Sequence, residues 1–162
     1  MIRTIAFALT LLAAAPGLAG LQRWEVTWLD KAGDPVGYGH GGSPEAFAHD
    51  ARGYIVSIGC APGGGHVLAL TAPQGVAPNF AGPSIHPGLR IARPGTDLFS
   101  GAVGPMSFDG RRYVGPVDEA VLAPLREKIH DGSLMLTELA THTTVKLELD
   151  QMKRALGEVV CN

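Results

Sequence analysis

The chain has 162 residues, of which 46% are hydrophobic and 17% charged, and its formal net charge at pH 7 is −2. This length fits one compact domain and excludes a large multidomain enzyme. Because the charge balance is slightly acidic, no overall positive field would attract nucleic acid or an anionic membrane, and a general nucleic-acid binder is not expected.

The N-terminal segment has the pattern of a secretory signal peptide. Arg3 gives a positive start, and residues 5–15 form an apolar run that only Thr10 interrupts. Pro16 then ends the run, and Ala19 closes a small-residue exit. We expect cleavage after Ala19. A transmembrane anchor is the less favoured alternative, because the apolar run is well short of the ~20 residues that span a bilayer.

Cleavage would leave residues 20–162 as the mature protein, which we expect to form a single β-rich domain without a transmembrane segment. Alanine, glycine and proline are abundant and arginine exceeds lysine. This composition is typical of a GC-rich bacterial source. The expected location is therefore the periplasm or, failing that, the medium as a secreted protein.

Short alternating runs separated by turns predict most of the mature chain to be strand. In the first run, Trp24, Val26 and Trp28 share one face and Glu25 and Thr27 the other. Clusters of glycine, proline and aspartate separate the later runs. Further strands are predicted at residues 54–60, 67–71, 89–92, 98–103, 112–114, 134–140 and 145–149.

Helical signals occur at three places. Ser43 followed by Pro44 predicts a brief helix, with the serine as cap. Apolar residues recur at helical spacing between residues 117 and 130, where Pro124 predicts a kink or a start. A last helix is expected after Asp150 as its cap. We assign the fold as mainly β, a small antiparallel sandwich or barrel with two short helices, the last one C-terminal.

Two cysteines, Cys60 and Cys161, remain after cleavage. In the oxidising compartment expected here, an even pair predicts a disulfide bond. This bond would close a loop of about 100 residues and stabilise the domain by ~4–5 kcal/mol on the chain-entropy model. A catalytic cysteine is the alternative, but Cys60 has no adjacent Lys, Arg or His to activate the thiol.

A glycine-rich segment, residues 37–42, has the spacing G-x-G-x-x-G and precedes the helix predicted at Ser43. The dinucleotide fingerprint also needs a preceding strand and a second parallel strand, whereas the residues before this segment are turn-like. We therefore expect a flexible loop and no nucleotide cofactor. An anion site beside that helix start remains open.

Chemistry-bearing motifs are otherwise scarce. No two histidines have the spacing of metal ligands on one strand or helix, so no metal site is predicted, although ligands could converge from separate loops. Ser57 lacks the first glycine of a serine elbow, and no catalytic residue is identified. The candidate ligand or partner surface consists of loop residues: His40, Gly41, Gly42, His66 and His86.

The C-terminal block, residues 134–161, contains Leu-Met-Leu, then Val-Lys-Leu-Glu-Leu, then Ala-Leu before a cysteine. It resembles the end of small exported proteobacterial envelope proteins, namely the invasion-associated locus B family and type VI secretion-associated accessory proteins. Trp24, Cys60 and Cys161 match the tryptophan and cysteines of that pattern, whereas Asp150 stands where those families often have glycine. The resemblance implies a β-rich periplasmic accessory or binding protein and supplies no catalytic residue.

These observations predict an exported periplasmic accessory or binding protein without catalytic activity, acting on an envelope protein or a cell-wall component. The alternative is a small envelope enzyme or metal-binding protein that uses loop histidines. No cofactor and no nucleic-acid partner are predicted.

Overall fold

The computed structural model describes residues 23–30, 35–36, 41–73, 83–93, 95–127 and 132–161. These residues form two antiparallel sheets and two helices around one core, in a sandwich-like arrangement that is not a closed barrel. The predicted fold class, mainly β with one helix near the C-terminus, is confirmed.

The strands and helices follow one another along the chain with few long connections. In chain order they are β1 (Glu25–Leu29), β2 (Pro35–Val36), β3 (Ser43–His49), β4 (Ile55–Cys60), β5 (His66–Thr71), β6 (Ser84–Ile85), β7 (Pro87–Arg93), β8 (Thr96–Ala102), β9 (Met106–Phe108), β10 (Tyr113–Val117), α1 (Glu119–Glu127), β11 (Ser133–Glu138), β12 (Thr144–Glu148) and α2 (Met152–Glu158). Within the described residues, no helix is both long and apolar enough to cross a membrane.

The larger sheet has the spatial order β2-β1-β3-β4-β5-β10-β9-β6, and the smaller sheet has the order β12-β11-β7-β8. The chain leaves the larger sheet after β6, builds β7 and β8 of the smaller sheet, and returns to the larger sheet with β9 and β10. Because of this excursion, β10 pairs with β5, from which it is distant in sequence. Residues of the turn before β10 are thereby placed beside the middle of the larger sheet.

The core lies between the inner face of the larger sheet on one side and the smaller sheet and both helices on the other. In β4, Val56 and Ile58 are buried in this core, so the alternate residue Ser57 points to the outer face of the sheet. Leu134 and Leu136 of β11 supply the opposing apolar surface. Period-two alternation therefore divides the residues of β4 between the core and an outer face.

The helix predicted at Ser43 is wrong, because Ser43–His49 forms β3. Ala46 and Ala48 of this strand are completely buried, whereas Glu45 and Phe47 lie on the outer face. Alanine has no strand preference of its own, which hides the period-two pattern in the sequence. Pairing with β1 on one side and β4 on the other outweighs the local helix-start signal.

Both remaining helices form where the periodicity predicts them, but their details differ. Pro124 lies inside α1, which begins at Glu119, so the helix does not start at this proline. The cap predicted for α2 is wrong, because the residue at that position is Gln151, with φ 63° and no side-chain capping bond. The side chain of Asp150 instead lies 3.4 Å from Nε of Arg23, as an exposed ion pair.

The predicted disulfide bond is confirmed. The Sγ atoms of Cys60 and Cys161 are 2.13 Å apart, with Cα atoms 5.2 Å apart, and the two cysteines are separated by 101 positions. Cys60 ends β4 near the middle of the larger sheet, and Cys161 follows α2. Both side chains pack against the core. The bond therefore fastens the segment after α2 to the central strand β4, next to β3, against which α2 packs.

Glu138 closes the β11–β12 hairpin and is only 5% exposed. Its Oε1 accepts a bond from the backbone N–H of Ala140 at 3.0 Å, and its Oε2 accepts bonds from the N–H of Thr141 at 2.6 Å and the Thr141 hydroxyl at 2.7 Å. Burial acts to raise the pKa of this carboxyl, but the hydrogen bonds outweigh it and hold the pKa below its ordinary value.

We predict that replacing both cysteines, Cys60→Ala with Cys161→Ala, lowers the free energy of unfolding by about 4 kcal/mol, because the denatured chain regains the entropy of a long loop. Denaturant unfolding of the oxidised proteins measures the difference. Reductant should bring the wild type to the stability of the variant and leave the variant unchanged. A variant as stable as the oxidised wild type would contradict the prediction.

Glu138 gives a pH-dependent contribution with a defined sign. Because the pKa is lower in the folded state, the stabilisation is present above the unfolded pKa of ~4.3 and is lost as the pH falls through the folded pKa. We expect Glu138→Gln to be less stable than the wild type at pH 7 and to lose less stability between pH 5 and acid. Denaturant midpoints across this range test it. Glu148→Gln, on the same hairpin, controls for the loss of one carboxylate. If the denaturant midpoints of Glu138→Gln and the wild type change with pH in parallel, the prediction is refuted.

Candidate functional site

The outer face of the larger sheet carries a cavity of about 340 Å³, which we call the outer groove. Its walls are outward-facing residues of β1, β3, β4 and β5 together with residues of the turn before β10. Leu29, Phe47 and Ile55 give it apolar surface, and Thr27, Ser57 and Thr71 give it hydroxyl groups. The groove therefore mixes apolar and polar surface on the side of the sheet that faces away from the core.

The strand register explains how these side chains come together. Phe47 of β3 is directly opposite Ser57 of β4, so the ring and the hydroxyl are neighbours on one face. Glu45 lies over Gly59, since a Cβ atom at that glycine would be 3.3 Å from Cγ of Glu45. The absence of a side chain at Gly59 thus leaves room for the glutamate to lie close to the sheet.

An ion pair crosses the groove from the turn before β10 to β3. Nη1 of Arg112 is 2.7 Å from Oε1 of Glu45, and Nε of Arg112 is 3.8 Å from Oδ2 of Asp109. The side chains of Arg112 and Glu45 are 26% and 13% exposed. Since β4 and β5 lie between the two strands, this pair connects parts of the sheet that do not pair directly.

Asp109 fixes the turn that presents the arginine. Its Oδ1 accepts bonds from the backbone N–H groups of Arg111 at 2.8 Å and Arg112 at 2.9 Å. Burial acts to raise the pKa of Asp109, but these two hydrogen bonds and the charges of Arg112 and Arg111 outweigh it and lower the pKa. Gly110 has φ +100°, which the turn requires and which other residues rarely adopt. Asp109 therefore remains ionised and holds Arg112 in place.

The hydroxyl groups of the groove are available to a ligand. Within the described part of the chain, the hydroxyls of Thr27, Ser57 and Thr71 make no hydrogen bond. Ser57 is only 3% exposed. A buried polar group without a partner costs free energy, which a ligand that hydrogen-bonds to it would recover.

The two carboxylates in the lining of the groove, Glu45 and Asp109, both lie near Arg112. Among the described residues that line it there is no histidine or cysteine, so Ser57 has no imidazole to take its proton. Arg112 is engaged by Glu45 and Asp109. The arrangement is suited to holding a ligand by shape and hydrogen bonds.

Gly41 and Gly42, predicted as part of a ligand surface, lie between β2 and β3. Gly41 has φ +77°, and a Cβ at Gly42 would be 2.6 Å from Cγ2 of Val36 and 2.9 Å from the carbonyl oxygen of Leu29. These glycines allow the chain to turn and to pack closely beside β1. They do not line the outer groove, and His40 lies outside the described residues.

His66 begins β5 at the end of the sheet that carries the disulfide. Its Nε2 is 2.8 Å from Nη2 of Arg126 and 3.5 Å from the carbonyl oxygen of Val159, and Arg126 also pairs with Glu119 at 2.6 Å. A second cavity of about 380 Å³ is bordered there by His66, Arg126 and Cys161. The structure thus places His66 in an ion-pair network that joins α1 to β5, apart from the outer groove.

His86 is exposed between β6 and β7, and His49 and His142 are exposed at the end of β3 and in the β11–β12 turn. In the part of the chain that the structure describes, no three His, Cys, Asp or Glu residues are grouped as metal ligands would be. His40 and His130 are not among these residues. The structure does not bring His66 and His86 together.

Glu45, Ser57 and Arg112 were not singled out as site residues by the sequence. The Asp109-Gly110 pair is a local turn signal, and it lies in the tight turn before β10. Ser57 also carries a signal in retrospect, since a polar residue alternates there with the buried Val56 and Ile58. None of these signals shows which strands lie side by side.

We predict an appreciable coupling free energy between Glu45 and Arg112, because both charges are largely removed from water. A double-mutant cycle with Glu45→Gln and Arg112→Met, read from urea unfolding, should give a coupling of about 1–2 kcal/mol. Lys146→Met with Glu148→Gln is the matched control, since this pair is 60% and 50% exposed with its atoms 3.6 Å apart. Its coupling should be under ~0.5 kcal/mol. Equal couplings for the two pairs would show that the groove does not shield its ion pair.

No family model matches this chain, and neither curated proteins nor solved structures give a match. The resemblance to small exported envelope proteins therefore stays a prediction.

Proposed function

We propose that this protein is an exported binding module of the bacterial envelope, without catalytic activity, that holds an envelope partner in the outer groove. The groove is the observation that carries the proposal. Its volume of about 340 Å³ is in the range of ligand sites, and it combines apolar surface with a few converging polar groups.

The scaffold beneath the groove supports a binding role. β3 and β4 are interior strands of an eight-stranded sheet, and their backbones are therefore held by pairing on both sides. The ion pair from Arg112 to Glu45 and the Asp109 turn fix the polar groups further. A rigid site loses little conformational entropy when a ligand binds.

The exported location is supported by the N-terminal pattern ending at Ala19 and by the cysteine pair. Disulfides persist in oxidising compartments such as the periplasm and the extracellular medium. The bond between Cys60 and Cys161 suits such a compartment. The partner that a periplasmic module meets is an envelope protein or cell-wall material.

Filling the groove should abolish binding to isolated envelopes of the bacterium that encodes this chain. We expect Thr27→Trp, which places an indole in the groove, to reduce the fraction of protein that cosediments with envelopes at least tenfold. Thr96→Trp puts the same side chain on an exposed position of β8 in the smaller sheet and should bind as the wild type does. Unfolding midpoints of both variants control for folding.

Envelope binding by Thr27→Trp equal to that of the wild type would overturn the groove as the site. Turnover of peptidoglycan, ester or peptide substrates that a single groove substitution abolishes would overturn the non-catalytic role.

A further inference from the structure

We infer that the outer groove binds a neutral saccharide, such as a sugar segment of an envelope glycan. This inference rests on the proposed binding function and adds the chemical class of the ligand. The charge, the hydroxyl groups and the apolar surface of the groove each restrict the chemical class of the ligand, and the position of the groove on the sheet disfavours an extended peptide.

Among the described residues that line the groove, the formal charges cancel. Arg111 and Arg112 are balanced by Glu45 and Asp109, and Arg112 lies 2.7 Å from Glu45 and 3.8 Å from Asp109. An anionic ligand that approached Arg112 would meet these two carboxylates, and a cationic ligand would meet the guanidinium groups. A neutral ligand avoids both repulsions and can still receive hydrogen bonds from the arginine and donate them to the carboxylates.

The unbonded hydroxyls select for a ligand that both donates and accepts. Thr27, Ser57 and Thr71 each offer one donor and two lone pairs. Ser57 lies among the lining residues and is 3% exposed, so its hydroxyl has little access to bulk water. The hydroxyl groups of a sugar have this same dual character and can meet several such side chains at once.

The apolar residues lie between these polar groups. Phe47 is opposite Ser57 across the β3–β4 pair. Ile55 lies on the same face of β4, two positions before Ser57. A ligand that matches both kinds of surface presents apolar surface next to hydroxyl groups. The C–H face of a pyranose against Phe47, with its hydroxyls at the rim, meets this requirement.

An extended peptide fits the position less well. Peptides that join a sheet bind to the backbone of an edge strand. Two of the strands that line the groove, β3 and β4, already use their backbone N–H and C=O groups in pairing on both sides. Recognition in the groove must use side chains, as saccharide recognition does.

Calorimetric titration of the oxidised protein with N-acetylchitotriose, a neutral trisaccharide, tests the inference. We expect saturable binding, with a dissociation constant at least tenfold lower than that for the glucosamine trimer, which has the same skeleton and three positive charges. Ser57→Ala removes one hydroxyl and should weaken binding about fivefold. Ser100→Ala, an exposed serine on β8, is the matched control and should leave binding unchanged.

Absence of saturable N-acetylchitotriose binding up to about 10 mM would overturn the saccharide assignment. Equal binding of the charged trimer would overturn the inference that the ligand is neutral. The two proposals are separable. If Thr27→Trp abolishes envelope binding but the trisaccharide neither binds nor competes with envelopes, the binding module stands and its ligand is of another class. If Thr27→Trp retains envelope binding, the groove itself is not the site. If N-acetylchitotriose displaces the wild-type protein from envelopes, and displaces Ser57→Ala less effectively, both proposals are supported.

Discussion

The bond between Cys60 and Cys161 is the constraint on which the arrangement of this domain depends. It joins the end of the central strand β4 to the segment after α2, across 101 positions of sequence. α2 is short, and its buried residues Met152, Ala155 and Leu156 cover the inner face of the sheet only if the helix is held there. A helix of this length has little stability by itself, so the covalent link and its apolar contacts maintain it.

The two sheets are joined at the other end of the domain by Trp24. Its indole N–H donates to the carbonyl oxygen of Glu148 at 3.0 Å, and its backbone N–H donates to the carbonyl oxygen of Asp150 at 3.1 Å. The residue thereby connects the start of β1 in the larger sheet to the end of β12 in the smaller one. The disulfide and this contact hold the two sheets together around the core. The outer face of the larger sheet is left on the side that faces solvent.

That outward face is where the molecule departs from a simple sandwich. Polar side chains on an exposed sheet face usually remain separate and solvated, whereas here Arg112 reaches over two strands to Glu45. The pair lies beside apolar residues and beside a serine with 3% exposure. The polar groups of this site are thus partly removed from water and held in place before any ligand binds.

The amino-acid sequence by itself determined the local features: the alternation in β4 and β12, the helical spacing in α1 and α2, the pairing of the only two cysteines and hence the β-rich class. The tertiary structure decided the rest. Ser43–His49 is a strand because β1 and β4 pair with it on both sides, against its own helix-start signal. The outer groove exists because the excursion through the smaller sheet returns β10 beside β5 and brings Arg112 toward Glu45. Periodicity encodes which side chains are buried along one strand, but the choice of neighbouring strands depends on contacts between residues far apart in sequence, which no local pattern contains.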